Sequence, residues 1–122
     1  MDRLKKRPDF LRAARGLRRV TAGVTLELCP TPEAFARPGR LRVGFTATKK
    51  LGNSVVRNRA RRRLKAAAAA ALPLYGLEGN DYVLVARRDT LTRPFDGLIG
   101  DLVSALHAAH SKLGRTKAGE PR

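Results

Sequence analysis

The chain holds one cysteine, Cys29, two histidines and ten carboxylates among 122 residues. A lone cysteine forbids an intrachain disulfide and any CxxC-type metal site. It suits a reducing compartment, and the cytoplasm is the expected location. A membrane helix needs roughly 20 consecutive apolar residues, and no run approaches that. The segment from Met1 to Phe10 is too charged to serve as the apolar core of a secretory signal. The carboxylates are scattered from Asp2 to Glu120, so no acidic cluster of the kind that holds two metals in a nuclease is legible. His107 and His110 stand three apart with only Asp101 near them as a further ligand, and they read as ordinary helix residues. No catalytic residue and no metal ligand is assigned to the protein.

Positive charge is what the chain has in excess: 26 Lys and Arg against 10 Asp and Glu leave a formal charge of +16. A fold of this size cannot neutralise that surplus internally, and the self-repulsion costs stability unless an external polyanion offsets it. Nucleic acid fits. An anionic membrane fits less well, because no long basic helix with a bulky apolar face and no lipidation signal is present. The length is that of one domain. A single RNA-binding domain is expected over residues 1–114, followed by a polar basic tail, residues 115–122, expected to be disordered.

Pro8 and Gly16 bracket a short helix over residues 8–15, with Phe10 and Ala14 on one side. Val24, Leu26 and Leu28 alternate with Thr25 and Glu27, the period of a half-buried strand. Residues 30–39 form a proline-rich loop into a second strand. There Leu41, Val43, Phe45 and Ala47 face the core while Arg42, Gly44, Thr46 and Thr48 face the other way. After a break at Gly52-Asn53-Ser54 a helix runs from Val55 to about Leu72 and ends before a turn around Pro73, Gly76 and Gly79. At about 100° per residue, Val56, Ala60, Leu64, Ala67 and Ala71 share a stripe opposite Arg57, Asn58, Arg61, Arg62 and Lys65. The six alanines from 66 to 71 favour a closely packed helix. Tyr82 to Ala86 is a continuous apolar run suited to a central strand buried on both faces. A last helix spans about Pro94 to Lys112.

The basic helix is anomalous in its first turns. Helix N-termini carry partial positive charge and favour Asp, Glu or capping Ser and Thr. Here Arg57, Arg59, Arg61, Arg62 and Arg63 crowd the first turns, and Arg57 stands near N3, where a capping box would put Glu. No Asp or Glu occurs from residue 34 to 77. A solvated charged face normally mixes signs to form i, i+4 pairs, and this one has cations only. Phosphates bound at the backbone N–H groups of Asn53 to Val56, with Lys49 and Lys50 supplied by the preceding strand end, would complete it. A basic helix can also enter a DNA major groove, but no helix-turn-helix spacing or zipper flanks this one, and RNA is preferred. The expected RNA-binding residues are Lys49, Lys50, Asn53, Arg57, Asn58, Arg59, Arg61, Arg62 and Lys65.

The run from Arg42 to Arg62, with Lys49-Lys50-Leu51-Gly52 leading into Arg57-Asn58-Arg59 and the pair Arg61-Arg62, resembles the signature of the bacterial ribonuclease P protein family. Arg3-Leu4-Lys5-Lys6 before Asp9-Phe10 is similar to the family's opening, and Asp81-Tyr82 through Ala86-Arg87 to its last core strand, so the resemblance spans roughly residues 3–110. It implies an α+β fold, an α/β two-layer sandwich with a small mixed sheet of about four strands. A central basic helix would lie between N- and C-terminal helices, crossing between parallel strands by a left-handed connection where general rules favour the right-handed one. The resemblance also implies a protein, monomeric alone, that joins a catalytic RNA and precursor tRNA. The RNA removes the 5′ leader by metal-dependent hydrolysis, with Mg²⁺ expected on the RNA. The basic helix would meet the catalytic RNA, and a cleft between the sheet and the N-terminal helix would receive the leader. Phe10 is the candidate for stacking on an unpaired base, with core packing as its alternative role. Many relatives carry a second aromatic where this chain has Ala14. Arg42, Thr46 and Thr48 lie on the strand face that would line the same cleft. A structural RNA-binding protein of ribosomal type and a stand-alone nuclease are the competing functions.

Overall fold

In the computed structural model, which describes residues 1–118 and side chains as far as Leu113, strand β5 (Asn80–Ala86) decides the architecture. Tyr82 and Leu84 are sealed on one face and Asp81 and Val83 on the other, so the sheet must be covered on both sides. The elements run β1 (Asp2–Arg3), α1 (Arg7–Ala14), β2 (Leu17–Val20), β3 (Val24–Pro30), β4 (Arg42–Thr46), α2 (Ser54–Tyr75), β5 and α3 (Phe95–Ala118), with 3-10 turns at Glu33–Phe35, Lys49–Leu51 and Arg88–Thr90. The strands form one five-stranded mixed sheet in the order β1-β4-β5-β3-β2. β1, β4 and β5 are mutually parallel, whereas β3 pairs antiparallel with β5 and β2 with β3. Helix α2 makes the crossover between the adjacent parallel strands β4 and β5.

Helices α2 and α3 pack on one face over Val24, Leu26, Leu28, Val43, Tyr82 and Leu84, and α1 caps the other face over Val83 and Cys29. Ala60, Leu64, Ala67, Ala68 and Ala71 form the buried stripe of α2, close to the expected one, and the small side chains let α3 approach. Two glycines permit close contacts. A Cβ on Gly16 would lie 2.1 Å from the Leu28 carbonyl oxygen, where the chain leaving α1 crosses β3. A Cβ on Gly44 would lie 2.7 Å from the Phe10 ring.

The sheet has five strands rather than about four. β2, Leu-Arg-Arg-Val, has no apolar alternation, and β1 is two residues long; both exist because β3 and β4 offer them a partner edge. Helix α2 does not stop at Leu72 but continues through Pro73 to Tyr75. The proline ring crowds the carbonyl four residues back, that of Ala69. Both residues lie on the exposed side, where that carbonyl can turn to water. α3 extends past Lys112 to Ala118, so residues 115–118 of the expected tail belong to its backbone, and residues 119–122 lie outside the described residues.

Candidate nucleic-acid interface

The start of α2 is capped as its sequence suggests. The Asn53 side-chain oxygen accepts from the Val56 N–H at 3.0 Å, and the Asn53 carbonyl accepts from the Arg57 N–H at 2.9 Å. Val56 N–H is therefore committed to the cap rather than open to an anion. The first-turn N–H groups left without an acceptor among the described residues are those of Ser54 and Val55. Lys49 and Lys50 stand exposed on the 3-10 turn that delivers the chain to this end.

Along α2, Asn58, Arg59, Arg62 and Lys65 are exposed, and Arg57 and Arg61 are half-buried. Arg57 reaches back to the Ser54 hydroxyl and Arg61 to the Asn58 side-chain oxygen, both at 3.4 Å, the weak end of hydrogen-bonding range. None of the cations from Lys49 to Lys65 forms an ion pair among the described residues. Four of the carboxylates are paired elsewhere: Asp2 with Arg37 and Arg40, Asp9 and Asp81 with Arg12 and Arg42, and Asp101 with Arg93. Beside the helix, Arg59, Arg62, Arg63, Ala66 and Phe95 line an open groove of about 260 Å³, with the Phe95 ring 41% exposed among the guanidiniums.

Arg63 differs from its neighbours. Its guanidinium donates to the main-chain carbonyls of Thr90, at 2.8 Å, and of Arg93, tying α2 to the segment that leads into α3. Helical geometry carries a signal for this: position 63 is three residues after buried Ala60 and four before buried Ala67, at the margin of the packed stripe.

A second feature opens on the opposite face of the sheet. Arg7, Phe10, Glu27, Phe45, Thr46 and Val83 line a cavity of about 310 Å³ between α1 and strands β3 to β5. The Phe10 ring packs on Gly44 and against the small α1-side core, its alternative role, and it also walls the cavity. Thr46 joins it there. Thr48 does not; it is exposed at the start of the Lys49–Leu51 turn. Arg42 points to the expected face but is committed to internal partners. Its Nε donates to Asp81 Oδ1 at 2.8 Å and one terminal nitrogen to Asp81 Oδ2 at 2.6 Å and to Asp9 Oδ1 at 3.2 Å. Arg12 closes the cluster on Asp9 at 2.9 Å, and the Thr31 hydroxyl donates to Asp81 at 2.8 Å. Asp81 is fully buried, so Arg42 supplies the counter-charge that such burial requires. Burial opposes the charge on Asp9, yet hydrogen bonds and charge from Arg12 and Arg42 outweigh it and hold the carboxyl below its ordinary value. The cluster fixes α1 against β4 and β5 and thereby sets the width of the cavity.

Glu27 had not been singled out from sequence, although the alternation that buries Leu26 and Leu28 puts it on the cavity side. The two histidines are engaged in packing. His107 meets the Tyr75 ring edge-on with centroids 5.3 Å apart. His110 Nε2 lies 2.7 Å from the Tyr82 hydroxyl, whose oxygen also accepts from Leu77 N–H at 2.9 Å. Burial pushes the Tyr82 phenol up to about 12 and, with the neighbouring His107, His110 down, both shifts favouring the neutral forms.

Fold and surface together define a small α/β protein with a cationic helix face left unmatched by any carboxylate among the described residues, and with a separate cavity under an aromatic ring. A family model described as Ribonuclease P matches residues 1–110. Proteins named ribonuclease P protein component are 48% identical in Paramagnetospirillum magneticum, over 98% of this chain and 90% of theirs, and 51% identical in Ruegeria pomeroyi, over 88% and 86%. Among solved structures, the RNase P protein of Staphylococcus aureus superposes with a TM-score of 0.70 at 23% identity, covering 89% of this chain and 95% of that one. That of Thermotoga maritima gives 0.69 at 19%, covering 88% and 97%; these two likenesses speak to the fold. The chain belongs to the ribonuclease P protein family, whose members are the protein component of a ribonucleoprotein endoribonuclease.

Proposed function

We propose that this chain holds the catalytic RNA of ribonuclease P on the cationic face of α2 and the single-stranded 5′ leader of precursor tRNA in the cavity beneath Phe10. It would thereby assist metal-dependent removal of the leader. The observation that carries the reading is the array Lys49, Lys50, Arg59, Arg62 and Lys65, exposed and without a carboxylate partner among the described residues. Each phosphate bound there releases counterions, a driving force that needs no base contact. Phe95 beside Arg59 and Arg62 adds a flat apolar surface to the same groove. On the other face, Phe10 offers an aromatic ring on which an unpaired base can stack for about 1–3 kcal/mol.

The hydrolytic step is assigned to the RNA, together with its Mg²⁺, for which phosphate oxygens are suitable hard ligands. The protein's part is binding and placement: the α2 face sets its position on the catalytic RNA, and the ion cluster around Asp81 holds α1 at the distance from the sheet that leaves the cavity open. Reconstitution with the cognate catalytic RNA tests this. At low magnesium the protein should raise both the affinity for precursor tRNA and the rate of leader removal, and Phe10→Ala should lower affinity for precursor bearing a leader. No gain on adding the folded protein would refute the reading.

A further inference from the structure

The cavity under Phe10 contains a group that a pure phosphate channel would exclude. Glu27 lies on β3, directly across from Val83 of β5, and lines the cavity together with Phe10 and Thr46. Its carboxylate is half-buried and makes no hydrogen bond or ion pair among the described residues. Arg18, its direct cross-strand partner on β2, influences it only through space, and burial raises its pKa above the ordinary value against that influence. A negative charge in the lining repels any phosphate that enters the cavity. It attracts a neutral ligand that brings N–H donors.

The rest of the lining narrows the choice. Phe10, Phe45 and Val83 offer apolar walls, and the exposed Arg7 completes the lining. A flat ring with donors on one edge fits between such walls, with its attached phosphates outside near Arg7 and Arg18. Among the four RNA bases only guanine presents two adjacent N–H donors, the imino N1–H and the amino N2–H, matching the two oxygens of an ionised carboxylate. Adenine and cytosine set a ring acceptor beside their amino group, and uracil flanks its single N–H with two carbonyls, so each brings an oxygen or nitrogen lone pair against Glu27.

We propose that Glu27 selects the leader nucleotide admitted to this cavity, its carboxylate accepting from the N1–H and N2–H of a guanine whose ring lies against Phe10. This rests on the reading that the cavity receives the leader, and the test separates the two. Holoenzyme reconstituted with the cognate catalytic RNA is given precursor tRNAs in which each leader position in turn carries G, A, C or U, alongside a precursor with no leader. Affinity is measured for the wild type, Glu27→Gln and Glu27→Asp, with thermal unfolding of each protein as a check on folding. The expected result is that guanine at one leader position binds at least about fivefold more tightly than uracil, in line with a paired base contact. Glu27→Gln should abolish that preference, and Glu27→Asp, which keeps the charge but withdraws it, should retain part of it. A base preference that is absent, or unchanged in Glu27→Gln, overturns the assignment of Glu27 while leaving leader binding intact. An equal loss for all four bases overturns it too, since the carboxylate would then be acting through a bound cation. Equal affinity for precursors with and without a leader would instead refute the leader-binding reading itself.

Discussion

Arg62 and Arg63 are adjacent, chemically identical and placed in opposite roles, so replacing each by alanine separates the docking surface from the scaffold. Arg62 is exposed and makes no hydrogen bond or ion pair among the described residues. Its loss should change folding stability by no more than about 0.5 kcal/mol, as is usual for surface positions away from special contacts. If it meets one phosphate of the catalytic RNA, the slope of log K against log salt should become shallower by about 0.7–0.9. Arg63 donates to two main-chain carbonyls in the segment that leads into α3. Hydrogen bonds to a charged group are worth about 1.5–3 kcal/mol, and partial solvent access brings the pair to about 2 kcal/mol in total. For a domain of this size that lowers the unfolding midpoint by about 6–10 °C, with little change in salt slope once the protein is folded. Calorimetry or circular dichroism gives the first quantity, and filter binding across a salt series gives the second. Were Arg63→Ala to flatten the salt dependence with its stability intact while Arg62→Ala left the slope alone, the division between surface and scaffold would be wrong.

Three further outcomes follow from the buried polar groups. Arg42→Ala leaves the fully buried Asp81 without its main counter-charge and should cost about 3 kcal/mol or more, read as a lower urea midpoint; a loss under 1 kcal/mol, about the size of a surface pair, would deny the cluster its structural role. His110 has its folded pKa depressed below the ordinary 6.5, so its contribution is complete above that pH. Stability should fall as pH drops from 6.5 towards the depressed value, because the unfolded chain takes up the proton first; urea unfolding of His110→Gln should lack that component, and an identical pH profile would reject it. Burial and the neighbouring Asp81 charge push the Cys29 thiol up to about 11. A maleimide at neutral pH should therefore leave the folded protein unlabelled and modify it in denaturant, whereas rapid labelling of the native state would contradict the packing of β3 under α1.

The parts of the fold legible in sequence were those whose period is set by burial. Val24, Leu26 and Leu28 alternate because one face of β3 meets α2 and α3, and Tyr82 to Leu84 run without interruption because β5 is covered on both sides. β1 and β2 carried no such mark, since a two-residue strand and a Leu-Arg-Arg-Val segment are strands only by virtue of the edge they pair with. The end of α2 lies beyond the expected one because both Pro73 and Ala69, whose carbonyl the proline ring crowds, are on the exposed side of the helix, where the disruption is tolerated. For the site, the cation-only face of α2 could be read directly, because charge sign and helical phase are both local properties. The fate of Arg42 could not. Its face was evident, but its partners Asp9 and Asp81 lie 33 and 39 positions away, and nothing in the strand distinguishes an arginine aimed at RNA from one neutralising a buried aspartate.

Placement of the α2 face on RNA is measured most directly with a hydroxyl-radical probe tethered to a cysteine introduced by Arg62→Cys, Cys29 being buried beneath α1. A parallel probe on Ser104→Cys, exposed on α3, provides the control. In the reconstituted complex with the catalytic RNA, strand cleavage should cluster at a few sites for the position 62 probe and be weak or differently placed for position 104. No localised cleavage from position 62, in a complex shown to be assembled, would mean that the unmatched arginines of α2 face solvent and that the protein engages RNA by another surface.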